Sequence, residues 1–482
     1  MLAQKIAKNF LVSSAGRFLS FVMALITTGY VSRYLGRAGF GDYSTVLAFV
    51  YIFTVFADLG LYQIALRGIS EVNNNEKRLV GAIFSLRLLW GALIFLLAPV
   101  VVIFSPYNHI VKVGVAIAAL GLWFLSNTQV LISIFQKYLK TEFVAYGDVL
   151  SRTIQLVLVI IFIRLNQGFY SIVWAVAISA CVNFLFVFAF SKRLIDYKIS
   201  IDIILWKKIV KESFPLAIAG ILTMVYFKLD IIMLSLFKSA EDVGIYGLAY
   251  KVLESLIFFP AMFVGLVMPQ MIKFLSLGNN SRFNYLCQKT QDLLFITAVP
   301  LVVGGWFLSK PIALLLGGED FLLAANPLNI LLAATSIIFF GSLFSSMIIA
   351  FHKQKTLSYI YSGGAIFNVV ANLIVIPQYS YMGAAATTLT TEIIVTGLMV
   401  WAIYNERKSI PSWFILKKVM LAVIIMSAFL YVAQYFGAGF SVMLFVGVIV
   451  YIGTLYMING FHKSDLMLLI SKHEPSTDQV IS

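Results

Sequence analysis

Nine charged residues fall in the interior of apolar stretches of the chain, away from their end positions, and their types and spacing define the chemistry open to it. Five are basic (Arg17, Arg87, Arg152, Lys228 and Lys251) and four are acidic (Asp58, Asp230, Glu254 and Glu392). A charge at the middle of a bilayer costs about 2.5–3.5 kcal/mol on insertion scales, so each needs a partner or a wet cavity. Arginine suits a phosphate or pyrophosphate ligand, because its planar fork meets two oxygens at once. Arg17 and Arg87 lie about seven residues inside their segments, roughly 10 Å deep at 1.5 Å per residue. Asp58 lies at a similar depth. Two readings follow: an ion pair of Asp58 with Arg17 or Arg87, or a cationic excess that binds an anion. Arg152 is nearer its boundary and reads as a headgroup anchor as well as a cavity cation. Lys228 and Asp230 are two apart and face different directions on a helix, whereas Lys251 and Glu254 are three apart and can neutralise each other. Glu392 has no basic neighbour in sequence, so it either pairs across helices or carries a proton for coupling. Ser13, Ser14, Ser20, Asn127, Asn183, Asn368 and Asn372 can hydrogen-bond sugars, or one helix to the next.

Other chemistries find no support. Cys181 and Cys287 form no metal-ligand or redox pair, and His109, His352, His462 and His473 never stand at ligand spacing. No P-loop sequence and no pair of aspartates at metal-binding spacing is present, so neither nucleotide hydrolysis nor metal-dependent glycosyl transfer is indicated. No cofactor or metal is implied.

The elements that must position these residues follow from composition. The chain has 482 residues, 61% hydrophobic and 12% charged, with a mean hydropathy of +0.95. A soluble domain carries about twice that charge. Fourteen apolar segments, each near the roughly 20 residues a bilayer requires, are predicted near 10–31, 43–66, 80–104, 112–135, 149–163, 170–190, 213–237, 243–268, 291–308, 326–350, 357–376, 383–404, 418–436 and 441–459. The fifth is the shortest. The first is too long for a cleavable signal and is predicted to be retained, with Lys5 and Lys8 on the cytoplasmic side.

Of the 35 basic residues, 24 fall in alternate tails and loops that would face the cytoplasm, six in the opposite loops and five within spans. That bias predicts cytoplasmic termini, and most of the net charge of +14 reflects topology. The most basic loop, 191–212, carries Lys192, Arg193, Lys198, Lys207, Lys208 and Lys211. Its Ile201, Ile204, Leu205 and Ile209 recur near helical spacing, which predicts a short interfacial helix. A repeat flanks this loop: Gly41-Asp42-Tyr43 opens segment two and Gly244-Ile245-Tyr246 opens segment eight. The expected organisation is a six-helix bundle over 1–190, a basic linker helix over 191–212, a second bundle over 213–404, and two extra helices with a tail over 405–482. Such a repeat encloses a central cavity.

These residues resemble a known family. Arg33-x-Leu35-Gly36 with Gly41-x-Tyr43, Asp58-Leu59-Gly60, Pro215, Lys228-x-Asp230, Val243-Gly244-x-Tyr246, Ala249 and Pro260 are similar to the Wzx-type polysaccharide and O-antigen flippases. Their superfamily (MOP) also holds multidrug exporters and lipid II flippases. The resemblance implies an all-α polytopic membrane protein of about 14 transmembrane helices, MATE-like, with two six-helix bundles around a central cavity. It implies a transporter, not an enzyme, that moves an undecaprenyl-pyrophosphate-linked oligosaccharide of O-antigen, lipopolysaccharide or exopolysaccharide assembly to the outer leaflet of a bacterial inner membrane. The implied partners are that lipid-linked oligosaccharide, membrane lipids, a coupling ion (H+ or Na+), and the polymerase and chain-length proteins. Lipid entry between segments one and eight is also implied, with Gly220, Pro260 and Gly265 lending flexibility. A multidrug exporter is the nearest alternative, and a cationic cargo would suit a carboxylate-lined cavity better than this basic excess. A glycosyltransferase, polymerase or acyltransferase is a further one, against which the short outer loops count.

Overall fold

The computed structural model describes residues 2–70 and 76–460, apart from the side chains of 2–11, 70 and 214–227. The expectations for Lys5, Lys8, Pro215, Gly220, His462 and His473 lie outside the described residues. Helices account for the architecture: α1 Leu2–Asp58, α2 Leu61–Ser70, α3 Glu76–Ile103, α4 His109–Lys137, α5 Glu142–Arg164, α6 Gly168–Leu194, α7 Ile203–Phe237, α8 Ala240–Ser276, α9 Asn280–Gly317, α10 Ala325–Ala350, α11 Gln354–Arg407, α12 Phe414–Tyr435 and α13 Phe440–Met457. A 3-10 turn, Glu319–Ala324, precedes α10. Among the described residues no strand occurs.

Two helices are twice the usual length because each contains a backbone break, at Gly36 in α1 (φ 66°, ψ −178°) and at Ser380 in α11 (φ 50°, ψ −134°). Dividing them there gives fifteen helices, and with the short α2 counted as the end of segment two these match the fourteen spans predicted from the apolar runs. Eleven of the described helices, with α1 and α11 undivided, are long and apolar enough to cross a membrane. The protein is therefore a multi-pass membrane protein.

Local departures from the predicted boundaries have physical causes. Segment two ends at Asp58 because Leu59 (φ 47°) and Gly60 (φ 72°) leave the right-handed region, and α2 starts immediately after. Segment five begins earlier, at Glu142, and the added length includes Asp148, which accepts a hydrogen bond from Asn183 of α6 at 2.9 Å. Within the basic stretch, residues 203–212 form the start of α7. Asp202 caps it by accepting from the Leu205 amide at 3.0 Å.

The chain packs as two compact units. One comprises the chain up to Lys251 with Leu315–Phe321 and Asn368–Ala384; the other comprises Val252–Leu314, Leu322–Phe367 and the chain from Ala385 onward. In the first, α1 packs on α3, α4, α5 and α7, and α4 packs on α6. Its core includes Phe84, Leu131, Phe135, Val187 and Tyr197. In the second, α12 packs on α13 around Phe295, Val419, Met426 and Tyr451, and the Tyr451 hydroxyl donates to the Ile296 carbonyl at 2.7 Å.

The basic linker is pinned to the first unit. Tyr197 is fully buried, edge-on to Phe84 at 5.8 Å and to Phe188 at 6.4 Å. The Lys192 ammonium stands 4.1 Å over its ring, and burial pushes the Tyr197 hydroxyl up to about 12. A Cβ on Gly81 would lie 2.1 Å from the Lys198 carbonyl oxygen, and Ser85 donates to the Ser200 carbonyl at 2.5 Å. The Leu205 amide, then Arg78 at 2.6 Å, hold the Asp202 carboxyl below its usual range. A depressed carboxyl contributes fully above the unfolded value of about 3.9 and loses that contribution as pH falls through the folded value. The part of the tryptophan fluorescence that Trp206→Phe removes is expected to stay constant from pH 7 to about 4 and change below. Asp202→Asn abolishes that acid transition; an unaltered transition in this variant would refute the assignment.

Candidate functional site

Arg87 sits in the first unit with no exposed surface. Its Nη1 donates to Asp58 Oδ1 at 2.5 Å, its Nε to Ser126 Oγ at 3.0 Å and its Nη2 to the Ser126 carbonyl at 3.1 Å. Asp58 can hold this position because it is the last residue of α1, where the break at Leu59-Gly60 releases the backbone. The structure thus forms the ion pair with Arg87 that matching depth allowed. Close by, Tyr62 donates to Gln136 at 2.8 Å and lies in the electrostatic range of Arg17, which is exposed on α1.

A second group lies on α5 and α6. Asp148 feels the fields of both Arg152 and Arg17. Arg152, one turn further along α5, is exposed and its Nη1 donates to Gln155 at 2.9 Å. The field of Arg152 also reaches Tyr43 of α1 and Lys251 of α8. Asp148 escapes a reading from apolar runs because it precedes the segment; its i,i+4 spacing to Arg152 was the available signal. The Oδ1 atoms of Asn127 and Asn183 are buried without a hydrogen-bond partner. Among the serines, Ser13 bonds Thr141 at 3.1 Å, while Ser20 Oγ is buried without such a partner.

The third group joins α7, α8 and α11. Lys228 Nζ stands 5.1 Å from the Tyr51 ring centre and 5.6 Å from that of Tyr250, and it shares its electrostatic environment with Lys251. Asp230 points elsewhere, as two-residue spacing requires, and is 2% exposed. It accepts from Tyr246 Oη at 3.1 Å and from Asn372 Nδ2 at 2.6 Å, and Asn372 Nδ2 also lies 3.1 Å from Asn368 Oδ1. Sequence spacing gave no hint of these partners, although Tyr246 is the tyrosine of the second Gly-x-Tyr element.

That element also has a packing role. A Cβ on Gly41 would lie 1.7 Å from the Ala240 carbonyl oxygen and 2.9 Å from the Gly244 nitrogen. Reciprocally, a Cβ on Gly244 would lie 2.1 Å from the Arg37 carbonyl oxygen and 3.2 Å from the Gly41 nitrogen. The repeated glycines therefore face each other in one backbone-to-backbone contact.

Within the first unit Arg17, Arg152, Lys251 and Lys228 thus form a succession of cations, flanked by tyrosines and by amide and hydroxyl groups. Chemically this suits an anion with attached hydroxyls. Glu254, half-buried, and Glu392, 6% exposed, belong to the second unit. Among the described residues no group of three or more His, Cys, Asp or Glu side chains could hold a metal ion.

The chain matches the family model described as polysaccharide biosynthesis protein over residues 6–275, more than half its length, and the MatE model over 215–374. An uncharacterized membrane protein of Methanocaldococcus jannaschii is 22% identical over 440 residues, covering 85% of each chain. The inward closed conformation of the lipid II flippase MurJ superposes with a TM-score of 0.76 at 18% identity, over 95% of this chain and all of that one. An inward-facing multidrug resistance MATE transporter of the MOP superfamily gives 0.65 at 13% identity, over 83% and 99%. These neighbours share the fold.

Proposed function

The chain belongs to the polysaccharide biosynthesis protein family, and we propose that it is a flippase for an oligosaccharide linked to undecaprenyl pyrophosphate. The observation that carries this reading is the succession Arg17, Arg152, Lys251 and Lys228 within one unit. The two exposed arginines bind the pyrophosphate bidentately. Lys251 and Lys228 hold the anion further along its path, the exposed Tyr51 faces the sugars, and the polyprenyl tail stays in lipid. Arg87 is engaged with Asp58 and Ser126.

The positive-inside distribution supports cytoplasmic termini in a bacterial inner membrane. Each negative charge moved outward then gains about 2.3 kcal/mol per 100 mV. Asp230, with Tyr246 and Asn372 on its oxygens, is the acid best placed to exchange a coupling ion, H+ or Na+. It serves the same alternating cycle in which two six-helix halves rock about the cargo.

The test is flipping of undecaprenyl-pyrophosphate sugars in proteoliposomes, with lipid II and a cationic drug as competing cargoes. Hydrogen bonds to a charged group contribute about 1.5–3 kcal/mol each. Arg17→Ala with Arg152→Ala is therefore expected to slow flipping at least about tenfold. Parental rates in this double variant would remove the arginines from the mechanism. Asp230→Asn is expected to leave downhill flipping intact while abolishing acceleration by an imposed ion gradient; acceleration equal to the parent's would exclude Asp230. Preferential transport of the drug would favour the multidrug exporter.

A further inference from the structure

The start of α7 and Leu86 of α3 line an open groove of about 530 Å3, formed by Leu86, Ile203, Trp206, Lys207, Val210 and Lys211. That volume is ordinary for a small-molecule site, roughly 300–1,000 Å3. The five α7 residues follow helical spacing and form one stripe, with two lysines four apart on the same face. Below them the lining is apolar. We propose that this groove holds one anionic phospholipid, with an acyl chain against Leu86, Ile203 and Val210 and the phosphate between Lys207 and Lys211.

Three observations favour a lipid over a soluble anion. First, the chain beside the groove exposes Ile199, Ile201, Ile203 and Ile204, the last at 86%. Four large apolar side chains presented together among lysines are the pattern of a segment lying at a bilayer surface. Second, charge complementarity selects an anionic headgroup: the loop's Lys207, Lys208 and Lys211 are all exposed, and lysines near a membrane surface attract anionic lipid. Third, the site is built before any lipid arrives. The Trp206 indole donates to the Ala82 carbonyl at 2.9 Å, Asp202 caps the helix, and the Lys198–Ser200 backbone is wedged against Gly81 and Ser85. A preformed pocket loses little entropy on filling. This assignment is independent of the transported cargo.

The test is native mass spectrometry of the full chain in detergent, titrated with phosphatidylglycerol or phosphatidylcholine. The parent is expected to retain one phosphatidylglycerol at concentrations about tenfold below those needed for phosphatidylcholine. Lys207→Gln with Lys211→Gln removes that preference, whereas Lys208→Gln, outside the groove lining, keeps it. Leu86→Trp fills the apolar floor and lowers retention of both lipids while sparing the lysines. Equal retention of the two lipids by the parent, an unchanged preference in the double variant, or displacement of the lipid by inorganic phosphate alone would overturn the proposal.

Discussion

Replacing Asp58 with alanine destabilises the detergent-solubilised protein by about 3–5 kcal/mol, the cost of stranding a buried charge. The charge left stranded is that of Arg87. It has no exposed surface, and its remaining partner, Ser126, carries no charge to set against it. Removing both charges should cost far less, because buried ion pairs replaced by apolar groups of similar volume are often neutral or better. Asp58→Ala with Arg87→Met is therefore expected to recover most of the loss, with a coupling energy above about 2 kcal/mol in the double-mutant cycle. Denaturant unfolding read by tryptophan fluorescence measures it. An Asp58→Ala protein within about 1 kcal/mol of the parent would show that the pair is not a structural element. Flipping by the double variant then separates the pair's packing role from any role in transport.

Gly41→Ala is the second substitution with a large expected effect. The added methyl would meet the Ala240 carbonyl oxygen at 1.7 Å and the Gly244 nitrogen at 2.9 Å. Both are backbone atoms, so α1 and α8 must separate. Overpacking of this kind costs about 1–3 kcal/mol. Gly244→Ala behaves alike, since its methyl meets the Arg37 carbonyl oxygen at 2.1 Å. Gly247→Ala should be milder, because its methyl meets Ser44 Oγ at 2.7 Å and a hydroxyl can turn away. Spin-label distances between α1 and α8, together with unfolding midpoints, report both effects. Gly41→Ala with parental stability and spacing would contradict the contact.

The span pattern was legible because hydrophobic run length alone sets where a helix can cross lipid. The turn-backs at Gly36 and Ser380 fall between predicted spans for the same reason. Arg87 with Asp58 was legible as one of two pairings, since equal depth brings charges together. What escaped detection is polar structure hidden at segment ends or formed across long separations. Asp148 stands in the second turn of α5, just before the apolar run, where hydropathy reads a loop. Asp230 and Asn372 meet only through tertiary packing, and no local spacing encodes that. The two Gly-x-Tyr elements were visible as a repeat, but their mutual contact was not. A missing side chain has no chemical signature until the backbone that occupies its place is known.

The bond between Asp230 and Asn372 spans 142 residues, which ties the first unit to the timetable of synthesis. At about 5–20 residues per second, Asn372 leaves the ribosome about 7–30 s after Asp230. Tyr246, only 16 residues on, follows within about 1–3 s. During that interval the tyrosine hydroxyl is the early partner of a carboxyl already committed to the membrane. Tyr246→Phe should therefore lower the yield of correctly inserted chain more than it lowers the stability of the finished protein.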